Sequence, residues 1–109
     1  MSPKDRYAAL TKAFLHKPGV TQEGKGFGST SLKVNGRIFA LLSSRGEFVV
    51  KLPQHRVDEL IAAGEGHRFD PGHGRLMKQW LALRPRAAQD WMQLASEALT
   101  FVARAKSGA

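Results

Sequence analysis

The sequence predicts an α+β domain, in which an antiparallel β-sheet (a three-stranded meander plus a fourth strand) packs with an N-terminal helix, a short middle helix and a long C-terminal helix. The meander rests on two turn signals, Asn35-Gly36 and Ser44-Arg45-Gly46, which cut residues 27–52 into three short apolar runs. The helices rest on apolar residues that recur three and four apart on either side of that stretch. Asn-Gly suits a two-residue type I′ turn, which needs positive φ at both central positions and matches the twist of antiparallel strands. A three-residue loop with Gly46 left-handed pairs Leu42 with Phe48, Ala40 with Val50 and Ile38 with Leu52. In that register Leu32, Val34, Phe39, Leu41 and Val49 share the face opposite Ile38, Ala40 and Leu42. Both faces are then apolar, so the expectation is either helices on both or a second face used as a dimer contact.

The remaining elements follow in order. Ser2 can cap a first helix in which Pro3 and Asp5 suit the first turn and Tyr7, Leu10 and Phe14 form one apolar stripe. His16-Lys17-Pro18-Gly19 ends it. A second helix enters at Pro53 and runs to Ala63, buries Val57, Leu60 and Ile61, and ends at a left-handed Gly64. Residues 64–75 hold four glycines and a proline and read as a loop. Residues 76–83 read as the fourth strand, where Trp80, alternating with Lys78, is expected in the core, the alternative being a partly exposed platform. Arg84-Pro85 opens the last helix, where Trp91, Leu94, Ala95, Ala98, Leu99 and Val102 make a broad apolar face, and residues 106–109 are expected to fray.

At 109 residues and 42% hydrophobic, the chain is expected to form a single domain spanning residues 1–109, with a core that needs no staples. The absence of cysteine excludes disulfides and thiolate chemistry and fits a reducing compartment. No run approaches the roughly 18 apolar residues of a membrane span, and the N-terminus has no signal-like apolar core, so the expected location is the cytoplasm. Seventeen Lys and Arg against nine Asp and Glu give a net charge of +8. The excess concentrates in the meander, where Lys25, Lys33, Arg37, Arg45 and Lys51 face a single acid, Glu47, and again in residues 71–109. Such an excess favours a polyanionic partner, because each phosphate neutralised by Lys or Arg releases a counterion.

Four segments resemble, in order, the MmcQ/YjbR-like family of small bacterial proteins, whose fold is compared with the N-terminal domain of TfoX/Sxy regulators. They are Gly24-Lys25-Gly26-Phe27-Gly28, Val34-Asn35-Gly36-Arg37-Ile38-Phe39-Ala40, Val50-Lys51-Leu52-Pro53 with Arg56 and Glu59-Leu60, and Phe69-Asp70-Pro71-Gly72-His73-Gly74-Arg75 leading into Met77-Lys78-Gln79-Trp80. The resemblance covers residues 5–104 and implies a double-wing arrangement analogous to DNA-binding winged folds.

No residue set amounts to an active site, and no cofactor is expected. His67, Asp70 and His73 have ligand chemistry, but in a glycine-rich connector without cysteine they read as loop residues. Gly24, Gly26 and Gly28 precede a strand, whereas phosphate loops follow one and open a helix, so they read as a bend. Ser29, Thr30, Ser31, Ser43 and Ser44 lack a base and acid in motif order. Asp58 and Glu59 point apart on a helix, and Asp5, Asp90 and Glu97 read as helix-surface charges. The expected function is therefore non-sequence-specific binding of nucleic acid, DNA in the first instance, by phosphate contacts. The expected contacts are Lys33, Arg37, Arg45 and Lys51, with Lys25, Arg75 and Lys78 as a second group. The competing expectation is a protein-interaction or regulatory domain of TfoX-like type that uses the apolar sheet face, for a protein partner or a homodimer, or the glycine-rich loop of residues 64–75.

Overall fold

The computed structural model describes residues 3–22, 31–43, 46–69, 79–84 and 90–104. In chain order these form α1 (Pro3–Phe14), β1 (Val20–Gln22), β2 (Leu32–Val34), β3 (Arg37–Leu42), β4 (Phe48–Lys51), α2 (Gln54–Ala62), β5 (Gly66–Arg68), β6 (Trp80–Leu83) and α3 (Trp91–Arg104). All strands pair antiparallel in one six-stranded sheet of order β1-β2-β3-β4-β6-β5. The fold class is α+β, and the meander and fourth strand are its centre. The sheet is wider than expected by β1 and β5. Each has only three residues, too few to set up an alternation, and β5 lies inside the segment that reads as a glycine-rich loop.

Both meander turns have the expected geometry. Asn35 and Gly36 take φ of 53° and 83°, as a type I′ turn requires. Gly46 takes φ of 80°; its N–H donates to Ser43 O at 2.9 Å, Ser43 N–H donates to Glu47 O, and Glu47 N–H donates to Ser43 Oγ. Leu42 pairs with Phe48 and Ala40 with Val50. The third expected pair, Ile38 with Leu52, is absent, because the β2–β3 register shifts: Leu32 opposes Ala40 while Lys33 opposes Ile38. Phe39 is the extra residue of a bulge, where two consecutive side chains fall on one side of a sheet. Phe39 and Ala40 are accordingly both fully buried in the same core as Leu32 and Val34, while Ile38 stands outside it. The face assignment read from the sequence is thus corrected at Leu32, Val34, Phe39 and Ile38. Leu52 N–H instead donates to Gln79 O.

One core holds Tyr7, Leu10 and Phe14 of α1, Val57 and Leu60 of α2, and Trp91, Leu94, Ala95, Ala98 and Val102 of α3, together with Phe48, Val50, Leu81 and Leu83 of the sheet. The three helices therefore share one face of the sheet, which replaces the expectation of helices on both. The Trp91 indole stacks on Phe48 at 4.6 Å, and the Arg6 guanidinium lies 4.4 Å from the Trp91 ring centroid. The Tyr7 hydroxyl donates to Ala40 O at 3.5 Å, and burial pushes its pKa up, so this phenol stays neutral.

Gly64 ends α2 as expected, with φ of 79°, its N–H on Ile61 O and the Glu65 N–H on Leu60 O. Asp90 caps α3 through a bond from Met92 N–H to its side-chain oxygen. α3 therefore starts at Trp91, later than Arg84-Pro85 suggests, because the capping aspartate provides the start signal. Arg56 ties α2 to α3 by a two-pronged contact to Glu97, Nε to Oε1 at 3.0 Å and Nη2 to Oε2 at 3.2 Å. Glu97 is thus an inter-helix partner and not a free surface charge. Arg68 of β5 reaches Asp58 of α2.

Two glycines give contrasting predictions. At Gly46 a Cβ has ordinary room, 3.7 Å from Pro3, so Gly46→Val should cost about 1 kcal/mol or more through its forced positive φ alone. An unchanged denaturation midpoint would reject this turn. At Gly66 a Cβ would be driven into the Ala82 carbonyl of the neighbouring strand. Gly66→Ala should therefore cost about 1–3 kcal/mol and raise amide exchange selectively in β5, a pattern that hydrogen exchange measures directly.

Candidate nucleic-acid interface

Because the helices occupy one face, strand alternation assigns a second set of residues to the other. Lys51 of β4 opposes Trp80 of β6. Phe69 N–H donates to Trp80 O at 2.9 Å, which continues the β5–β6 register and sets Phe69 opposite Trp80. Lys51, Trp80 and Phe69 thus form one row across three adjacent strands. The Lys51 ammonium lies 5.8 Å from the Trp80 ring centroid, within cation–π range. All three side chains are partly buried, and Trp80 lies outside the helix-side core, which corrects the expectation that it is a core residue.

The next row is Leu41, Val49, Ala82 and His67, matched strand by strand. Val49 and Ala82 are fully buried although they lie outside the main core cluster. Glu47 and His67 approach to 3.3 Å across β6, where Ala82 presents only a methyl group. On the far side of β3, Lys33 opposes Ile38 and Thr21 opposes Lys33. The face therefore has a cationic side at Lys33 and Lys51, half-buried apolar residues Ile38 and Leu41 between them, and an aromatic pair toward β5.

Of the expected contact residues, Lys33 and Lys51 come together on this face, two strand spacings or about 10 Å apart. Arg37 does not join them. It opposes Val34, a core residue, so alternation assigns it to the helix-bearing side at the mouth of the first hairpin. Lys25, Arg45, Arg75 and Lys78 lie outside the described residues, as do the Gly24–Gly28 segment, Ser29, Thr30, Ser44, Asp70 and His73. His67 sits on β5 against Glu47, and no cluster of three or more metal-ligating side chains occurs among the described residues. Phe69 is the contributor that the sequence did not single out, because its place depends on β5, a strand hidden in a glycine-rich segment, pairing with β6.

A groove of about 530 Å³ lies between α2 and α3, lined by Pro53, His55, Arg56, Ser96, Thr100 and Arg104 among others. One of its cations, Arg56, is already engaged by Glu97 and Glu59, and the hydrogen bond that the guanidinium donates to Glu97 raises its pKa further. Arg56 is thus committed to the α2–α3 contact, and His55 and Arg104 also line the groove.

The two tryptophans report on the two sheet faces. Acrylamide should quench the emission of Trp80 and leave that of Trp91, which is only 3% exposed, largely unaffected. Trp80→Phe should remove the quenchable component, and equal quenching in that variant and in wild type would contradict this placement. Comparison of the chain with known protein families, curated proteins and solved structures finds no match.

Proposed function

We propose that this protein is a small nucleic-acid-binding module that meets the phosphate backbone of DNA with the sheet face opposite its helices. The observation that carries the proposal is the presence of Lys33 and Lys51 on that one face, Lys51 against an aromatic ring, in a chain of net charge +8. Lysines there would neutralise phosphates without reading bases, since all three described helices pack behind the sheet. Lys25, Arg45, Arg75 and Lys78, which lie outside the described residues, would add contacts, as would Arg37 beside the β2–β3 turn. Binding would then be non-sequence-specific, and the cytoplasm is the proposed place of action. The sequence resemblance of residues 5–104 to MmcQ/YjbR-like domains, which implies a double-wing arrangement, leads to the same reading by analogy. The competing reading, a TfoX-like regulatory contact with another protein, is favoured by Ile38 and Leu41, which are apolar and half-buried on the same face.

Replacing Lys33 and Lys51 together with Gln should leave folding nearly unchanged, at under about 0.5 kcal/mol each. The slope of log K against log salt for duplex DNA should flatten by up to about 1.8, and affinity should fall similarly for unrelated sequences. A wild-type protein without measurable affinity for DNA or RNA at about 50 mM salt would overturn the proposal and leave the protein-contact reading in its place.

A further inference from the structure

We infer that the bound strand is single, with two consecutive unpaired bases stacking on Trp80 and Phe69 and an adjacent phosphate held by Lys51. The inference rests on the phosphate-binding reading above and deepens it. Its basis is the row Lys51, Trp80, Phe69, which crosses β4, β6 and β5 at one level of the sheet. Neighbouring strands are about 4.8 Å apart, so the two ring-bearing positions lie side by side. Both side chains are partly exposed. A duplex keeps its base faces stacked on one another and offers only edges and phosphates, which such rings cannot use. A single strand splays its bases and presents a π-face at each, and stacking of that kind tolerates any base.

The charges around the row agree. Lys51 already lies over the Trp80 ring, where a base would displace the ammonium toward the phosphate that the same nucleotide carries. Glu47, which precedes β4, is engaged with His67 of β5, so its charge is turned toward β5 and away from Lys51. A strand entering past Lys33 and Lys51 would therefore meet attraction first and the rings next.

Binding of oligo(dT) and oligo(U) should be compared with that of a mixed-sequence duplex of equal length, all at one low salt concentration, with tryptophan emission as the readout. We expect both single strands to bind tighter than the duplex and to quench emission; a difference between the two would identify the preferred sugar. Trp80→Phe should lose most of the quenching while keeping its affinity within about threefold, because a π-face remains. Trp80→Leu and Phe69→Leu should each lose about 5- to 140-fold for single strands, the equivalent of one base stack. Should Trp80→Leu fail to fold by circular dichroism, Phe69→Leu and the wild-type quenching still decide the matter. Duplex binding as tight as single-strand binding, or unchanged single-strand affinity in the Leu variants, would overturn the inference while the phosphate reading stands. Absence of binding to every strand would overturn both.

Discussion

The rest of the architecture depends on one break in alternation. Phe39 is an extra residue between the Leu32–Ala40 and Lys33–Ile38 pairs, so Phe39 and Ala40 both fall on the helix side. Phe39 meets Phe14 of α1 at 6.1 Å between ring centroids, and the Ala40 carbonyl accepts from Tyr7 one helical stripe away. The same break releases Lys33 and Ile38 to the other face. An uninterrupted ladder through Ile38 would have put Leu32, Val34 and Phe39 on the face away from the helices and deprived α1 of its contact surface. A single bulge thus determines both what the helices pack on and which cations the outer face carries.

The helix side is closed by contacts of high specificity for a small domain. Trp91 lies on Phe48 in a near-parallel stack at 11°, and Tyr7 lies against Phe48 at 6.0 Å, so α1 and α3 converge on a single strand residue. Arg56 and Glu97 fix α2 to α3 at the rim, where partial exposure limits what an ion pair contributes but its two-pronged geometry fixes register. The outer face buries Val49 and Ala82 fully, yet it also carries side chains that a core does not want: two lysines, a histidine and a glutamate.

Much of this was legible in the residues. Asn35-Gly36 and Gly46 announce their turns because only a few residues tolerate positive φ, and Tyr7, Leu10, Phe14, Val57, Leu60 and the Trp91 stripe announce their faces by helical spacing. The bulge was not legible, since the sequence around Phe39 reads equally well as regular alternation and only the packing of α1 selects between registers. Nor was the row of Lys51, Trp80 and Phe69. Trp80 looks like a core residue when read alone, and Phe69 follows Gly66 in a segment whose glycines suggest a loop. The glycine is there for proximity, because its missing Cβ lets β5 approach the Ala82 carbonyl. Lys33 and Lys51 were identifiable as candidates by charge, but their common face and the departure of Arg37 from it follow from pairing alone.

The two outermost strands, β1 and β5, have three residues each. A sheet border is ordinarily a template on which a further chain can add hydrogen bonds, and brevity is one of the ways proteins spoil it. With so few unpaired backbone groups at either border, lateral growth into ribbons or fibrils has little to start from. High protein concentration then gives the described margins of the sheet little means of recruiting further copies of the chain.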